Sequence, residues 1–306
     1  MANKKIKIGV VIVNYNGTQD TIDLVRSLRL NTKGNVSFFF CIVDNGSDIF
    51  SFRKLRLLAK NARKNKMVLI RNTKNLGLSK ALNQGYKRLP KTDYIWRLDN
   101  DVIVKKSTLP ELLKTMTTHA DCGCVGSIAL GYENHKKSLG GGWRVIWRRG
   151  SVIPLSIPKT EIVCDFVSGY SLLFREGVAK KIGYLSDENF FAYVEDVDIC
   201  RQVQKHGMKI YLNPKAVVYH REVIAKHYNP FLIYLSTRNR IYLMRKNTSL
   251  PTLLLFTPYM ISIATAFNIK NILHLSTTFD KKIILFMHYI KGLWEGYFNF
   301  LRAPIS

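Results

Sequence analysis

The chain has 306 residues, 47% of them hydrophobic and 22% charged, values of an ordinary folded protein that exclude a wholly disordered chain and a many-span membrane protein. Forty-seven Lys and Arg against 21 Asp and Glu leave a net charge of +26, a field that attracts nucleic acid, anionic lipid head groups or phosphorylated substrates. The five cysteines show no zinc-type spacing, and Cys122 and Cys124 stand too close for an easy bridge, which suits a reducing cytosol. The first residues, Met-Ala-Asn-Lys-Lys, carry no apolar core of a signal peptide. Charge is also segregated. Residues 51–91 hold 13 Lys or Arg and no acid, while the acids gather in 93–101 and 187–198. Clustered carboxylates in so cationic a chain are the pattern expected around a divalent cation.

In chain order, residues 6–13 and 36–43 are short continuous apolar runs rich in β-branched and aromatic side chains, as buried parallel strands are. Between them Ile22, Val25 and Leu28 recur at helical spacing after a Thr18/Asp20 start. Residues 67–70 and 94–98 read as further strands, and 80–89 as a helix stopped by Pro90. This alternation predicts an α/β layered domain with a mostly parallel central sheet. Ligands of such sheets sit at the carboxyl ends of the strands, which directs attention to 14–17, 44–48, 72–77 and 99–101. Gly140 to Gly142 marks a loop, 165–174 resumes strand character, 196–206 is helical with Gly207 as its C-cap, and 211–220 is a last extended segment. Beyond about residue 221 the acids nearly vanish and two apolar stretches follow, 250–267 and 283–301. No internal repeat is present.

Asp99-Asn100-Asp101 places two carboxylates two residues apart at a strand end, suited to a divalent cation and a sugar hydroxyl or metal-bound water, or equally to an Asx-rich turn. Asp44-Asn45-Gly46-Ser47 offers an acceptor for a nucleobase imide or a ribose, or a plain Asn-Gly turn. Asn75-Leu76-Gly77, with Asn83 and Gly85, brings backbone close to a ligand or forms an ordinary loop and helix. Glu195, Asp196 and Asp198 open a helix, where they serve either the helix dipole or proton abstraction. His220 ends a strand, placed either to complete a metal site with carboxylates or simply to pack. Phosphate-loop, dinucleotide-fingerprint and H-E-x-x-H patterns are all missing.

Taken in order, these motifs resemble the inverting glycosyltransferases of family 2, over residues 6–220. The run Val11 to Gly17, with its Asn14-Tyr15-Asn16-Gly17, is similar to that family's first strand and loop, and Asp44 to its nucleoside-binding acid. Asn75-Leu76-Gly77 is similar to its next loop, Asp99-Asn100-Asp101 to its metal-binding D-x-D, and Asp187 through Asp198, ending at Pro214 and His220, to its catalytic segment. The nearest subgroup resembles the rhamnosyltransferases. Gly169-Tyr170 departs from an expected Gly-Ala, and Arg201 follows Cys200 without the usual intervening residue. The resemblance implies a GT-A fold, a Rossmann-like nucleotide-sugar-binding domain. It implies a UDP- or dTDP-sugar donor held by Asn14, Tyr15, Asn16, Asp44, Asn75, Gly77 and Asp99. It also implies Mg²⁺ or Mn²⁺ on Asp101 and His220 with Asp99, and Asp196 as the base with Glu195 as the alternative.

No charge occurs in residues 247–269. A run of about 20 apolar residues can span a bilayer, yet Pro251, Pro258 and several Ser and Thr dilute this one. Basic residues flank it on both sides (Arg238, Arg240, Arg245 and Lys246 before; Lys270, Lys281, Lys282 and Lys291 after), which writes no clear orientation. Ile283, Phe286, Ile290, Leu293, Trp294, Tyr297 and Leu301 recur at helical spacing, as in a helix packed on the domain or one lying in the membrane plane. Peripheral or monotopic attachment is the expectation. The chain therefore divides into a catalytic domain, 1–225, and a C-terminal helical, membrane-associating extension, 226–306. The expected setting is the cytosolic face of an anionic membrane, with a lipid-linked or other glycan acceptor and a possible homo-oligomer. The rivals are a basic nucleic-acid-binding protein, disfavoured by the few aromatics interleaved in residues 53–91, and a nucleotidyltransferase, which needs a glycine-rich basic opening loop in place of Asn14 to Gly17.

Overall fold

The computed structural model describes residues 5–32, 34–62, 66–221 and 229–299. Two compact units divide the chain: Met1–Arg144, Pro154–Phe191 and Glu195–Glu222 form the first, and Val145–Ile153, Ala192–Val194 and Val223–Ser306 the second. Sequence alone suggested one boundary, at 225/226; two short segments, 145–153 and 192–194, also belong to the second unit.

The first unit opens with β1 (Ile6–Asn14), α1 (Thr18–Asn31), β2 (Val36–Asn45), α2 (Ile49–Lys60), β3 (Met67–Asn72), α3 (Leu78–Tyr86) and β4 (Tyr94–Asp99). It continues through β5 (Val102–Val104), α4 (Thr108–Thr118), β6 (Cys122–Gly131), β7 (Ser138–Gly140) and β8 (Gly142–Ile146). Beyond β9 (Ser151–Pro154), all but the last residue of which belongs to the second unit, come β10 (Ile162–Cys164), β11 (Phe166–Val167), β12 (Ser171–Arg175), α5 (Glu176–Ile182), α6 (Glu195–Lys205) and β13 (Lys209–His220).

The main sheet runs in the order β10-β13-β6-β12-β4-β1-β2-β3. Strands β4, β1, β2 and β3 are parallel neighbours, as their two-sided burial requires. Chain order reverses direction beside β1: β2 and β3 lie on one side and β4 on the other. That reversal opens a crevice at the strands' carboxyl ends, between Asn14 and Asp99. Strand β12 runs antiparallel to both β4 and β6, so the sheet is mixed, with a second parallel pair, β6 and β13, beyond it. Alternate residues of β1 and β4 (Ile8, Val10, Ile12, Trp96, Leu98) enter one core with Leu24, Leu28 and Leu112. By strand alternation Arg97 and Asp99 face the other way.

Several elements depart from the sequence reading. Helix α3 starts at Leu78 because Gly77 (φ 88°) caps it, and its end tightens into Arg88 N–H to Gly85 O and Leu89 N–H to Tyr86 O bonds before Pro90. The extended region 165–174 breaks into β11 and β12 around Gly169. Helix α2 occupies the basic run, capped by Asp48, whose carboxylate accepts from the Phe50 and Ser51 amides. Only Leu55 of that helix is buried, so its apolar stripe was too thin to register against the lysines and arginines.

The second unit contains α7 (Pro230–Asn247), α8 (Leu250–Tyr259), α9 (Thr265–His274) and α10 (Phe279–Trp294). A π-helical turn, Met260–Ala264, joins α8 to α9. Ile241, Met244, Phe256, Met260 and Ala264 form its core. The continuous helical run Leu250–His274 is, by length and composition, long and apolar enough to cross a membrane. Of the second apolar stretch, residues 300 and 301 lie outside the described residues.

Candidate active site

The carboxyl ends of β2, β1 and β4 place Asp44, Asn14 and Asp99 in one row, since Asn14 is in register with Asp44 and Val13 with Asp99. Asn14 is fully buried. Its amide nitrogen donates to Asp44 Oδ1 and Ser47 Oγ, both at 3.0 Å, and its oxygen accepts from Thr21 Oγ1 at 2.9 Å. It therefore shapes the loop and has no donor left for a ligand. Asp44 is also fully buried, and its Oδ2 has no hydrogen-bond partner. A buried carboxylate oxygen left open is an acceptor waiting for an N–H or O–H. Asn16 sits at φ 55°, its amide donating to Ser47 Oγ and its side-chain oxygen accepting from Asp48 N. Tyr15 projects into solvent, 52% exposed.

Asn75 Oδ1 accepts from Asn45 Nδ2 and from Gly77 N, each at 2.9 Å, so the third loop is tied to the second. Two glycines there have no substitute. A Cβ on Gly77 would meet the Phe191 ring at 2.6 Å, and one on Gly46 would meet the Lys74 backbone at 2.4 Å, both at φ 88°. Gly46→Ala is expected to lose about 1–3 kcal/mol of stability, read as a lower denaturant midpoint at unchanged slope. Asn83 ties α3 to the segment leading to the acid cluster, donating to Ser186 O and accepting from the Leu185 and Ser186 amides.

Asp99, Asp101 and His220 converge, with one ligand atom from each lying within 4.8 Å of the others. The approach is made by β13 pairing antiparallel with β5, which sets His220 opposite Val102. His220 Nε2 is 3.4 Å from Asp101 Oδ1, and that oxygen is buried without a hydrogen bond. Two carboxylates and an imidazole, with one oxygen unsatisfied, fit a hard or borderline divalent cation. Burial raises both carboxyls above the ordinary range, Asp99 to about 6, with Arg97 opposing the shift at Asp99 and His220 opposing it at Asp101.

Helix α6 supplies the remaining acids. Three residues ahead of it, Phe191, Tyr193 and Val194, have positive φ (64°, 67° and 70°), a conformation rare for bulky or β-branched side chains and concentrated at functional sites. Asp196 is partly buried, its Oδ2 accepting from Gly169 N at 3.1 Å and its Oδ1 from Val197 N at 2.9 Å. Burial, then the neighbouring Glu195, pushes its carboxyl up to about 7, against the opposing pull of Arg97. Glu195 is differently employed, with its Oε1 2.5 Å from Nη2 of the fully buried Arg97. The turn at 169–170 links the two groups of acids: Gly169 N bonds Asp196, and Tyr170 O accepts from Asp99 N at 3.1 Å. Arg97, Ser47 and the Gly169 turn were given no role of their own from sequence. The departure at Gly169-Tyr170 marked only the last of them.

An α/β fold with a nucleotide-type crevice and a candidate cation site defines a class, and sequence comparison narrows it. The model of glycosyl transferase family 2 matches residues 9–183, and the chain belongs to that family. Asp196 and His220 lie beyond the matched segment. No curated protein sequence matches the chain significantly. Among solved structures, GalNAc-T7 with UDP, GalNAc and Mn²⁺ superposes with TM-score 0.61 at 14% identity, over 88% of this chain and 58% of that one. The mannosyltransferase PcManGT of Pyrobaculum calidifontis, with GDP-Man and Mn²⁺, gives 0.61 at 13% identity over 96% and 88%. TarS 1–349 of S. aureus with UDP-GlcNAc gives 0.62 at 17% identity over 95% and 80%. These likenesses establish the GT-A fold. The chain spans less than two thirds of the GalNAc-T7 chain.

Proposed function

We propose that this chain is an inverting, metal-dependent glycosyltransferase that moves a hexosyl group, of rhamnosyl type, from a UDP- or dTDP-sugar to an acceptor hydroxyl. The observation that carries the reading is the linkage of Asp196 through the 169–170 turn to the strand bearing Asp99. A proton acceptor and a cation site thus share one frame. Asp44 Oδ2 takes a hydrogen bond from the base or ribose, Tyr15 covers it, and the loops at Asn16, Asn75 and Gly77 shape the nucleotide's seat. Asp101 and His220, with Asp99, would hold Mg²⁺ or Mn²⁺, and the ion supplies neutralisation of diphosphate charge. Asp196 takes the proton of the acceptor hydroxyl as its oxygen bonds to the anomeric carbon. The bond from that carbon to the diphosphate breaks, and a single in-line displacement inverts the centre. The titration of Asp196 near neutrality suits this role. Release of nucleoside diphosphate from UDP- and dTDP-sugars with Mn²⁺ tests it, and no turnover across both donor sets overturns it.

The acceptor in this reading is a lipid-linked glycan at the cytosolic membrane face. Residues 221–306 carry 11 Lys or Arg and 3 acids, attractive to anionic lipid at ~1 kcal/mol per basic residue near the surface. Leu254, Leu255, Ile261, Ile263 and Phe267 are exposed. Polar side chains among them turn back on their own helix: Ser262 donates to Pro258 O, Thr265 to Met260 O and Asn268 to Ala264 O. Such internal satisfaction suits a hydrocarbon setting. The intact protein is expected to float with anionic vesicles at low salt and less with neutral ones. Its remaining in the soluble fraction with both would remove the membrane and the lipid-linked acceptor from the reading.

A further inference from the structure

Helix α6 begins with two adjacent carboxylates, and a reaction needing one base must distinguish them. The distinction is made from outside the helix. Arg97 lies in β4, one side chain before Asp99 on the same strand face, and only 1% of it is exposed. A guanidinium in such a place must be paired, and its partner is Glu195, at 2.5 Å and itself buried. Arg97 Nε and Nη1 and Glu195 Oε2 have no hydrogen-bond partner, so the pair is held by a single contact that its packing fixes. Gly169 makes the packing possible: a Cβ there would lie 2.6 Å from Arg97 Nη2 and 3.6 Å from Asp196 Cβ. Asp196, by contrast, bonds only to backbone N–H groups.

We propose that Arg97 is a positioning residue that assigns the base role to Asp196, by engaging Glu195 as its ion-pair partner and setting the charge beside the Asp196 carboxylate. The proposal rests on Asp196 being the base and adds what selects it. The groups acting on Asp196 are Glu195 on its own helix, Arg97 on β4, and the Gly169 and Val197 amides; the Tyr170 hydroxyl senses its charge in turn. Arg97 and Glu195 act on its carboxyl in opposite senses, the guanidinium favouring the ionised form and the neighbouring acid disfavouring it.

The opposition gives a test that needs no substrate. Thermal stability of the full chain is measured against pH beside the same background carrying Asp196→Asn, and the difference isolates the Asp196 step. In Arg97→Met the midpoint of that step is expected to move up by about 1–3 units, and in Glu195→Gln to move down. Arg97→Lys, which keeps the charge, is expected to stay near wild type. If Arg97→Met does not fold, Arg97→Met/Glu195→Leu removes both buried charges, a replacement proteins often tolerate, and its midpoint is expected to lie between those of the single variants. A purely structural salt bridge would lower stability in the single variants without moving the step. An unmoved midpoint in a folded variant, or movement in the same direction for Arg97→Met and Glu195→Gln, overturns the proposal. Failure of the glycosyltransferase reading is separate: it shows as a wild-type protein that turns over no nucleotide sugar while its titration step still moves.

Discussion

Asp196→Asn is expected to lower turnover roughly 10²–10⁴-fold, the usual contribution of a positioned general base, and to leave nucleotide binding unchanged. The amide keeps an oxygen for the Gly169 N–H but cannot take the acceptor's proton. The variant also changes the pH dependence of folding in a defined direction. The folded-state carboxyl titrates near 7, raised from 3.8 by burial and by Glu195. The native state therefore holds the proton more tightly than the unfolded chain. The stability this contributes is fully present below about pH 4 and is lost as pH rises through 7. In the proposed mechanism the ionised form is the base, so activity is expected to rise over the same interval in which this stability is lost. Asp196→Asn is expected to flatten that decline, visible in thermal melts at successive pH values. Retained turnover beside an inactive Glu195→Gln would transfer the role to Glu195.

Asp101→Ala is expected to abolish the stabilisation that Mn²⁺ and UDP together give the wild type. A ligand at 100 times its dissociation constant stabilises a fold by about 2.7 kcal/mol, and nearly all of that shift should vanish. Stability without metal is expected to change little, because burial disfavours the ionised Asp101 carboxylate and its buried Oδ1 accepts no hydrogen bond. A full Mn²⁺-dependent shift in Asp101→Ala would remove that residue from the ligand set. His220→Ala is the companion, since its imidazole reaches the site from β13.

Much of this frame was legible because parallel βαβ units write their chemistry at strand ends. Asp44, Asp99 and Asp101 each follow an apolar run, and the strand rule sends all three to one edge. Asn14 was legible as a site residue, but not its function: three buried bonds make it a brace, and only tertiary structure shows that. Arg97 stands inside the strand Tyr94–Asp99, where an arginine gives no local signal of its partner. Its counter-ion comes from a helix far along the chain. Strand β6, with its small residues Gly123, Gly126 and Ser127, lacks the bulk of a typical strand. A Cβ at Gly126 would meet Val167 at 2.5 Å, so the missing bulk leaves room for β11. The antiparallel course of β12 between β4 and β6 was hidden as well, because a short apolar run carries no mark of its direction.

The last strand of the first unit has a consequence for biogenesis. Strand β13 pairs with β6, β10 and β5, and β10 has no other strand partner among the described residues. A nascent chain that has left the ribosome only as far as β12 leaves one edge of β6 open, and open edges recruit other strands. The same chain carries Asp99 and Asp101 but no His220. Synthesis therefore delivers the imidazole and the closing strand in one segment, so that the proposed cation site is completed as the sheet seals.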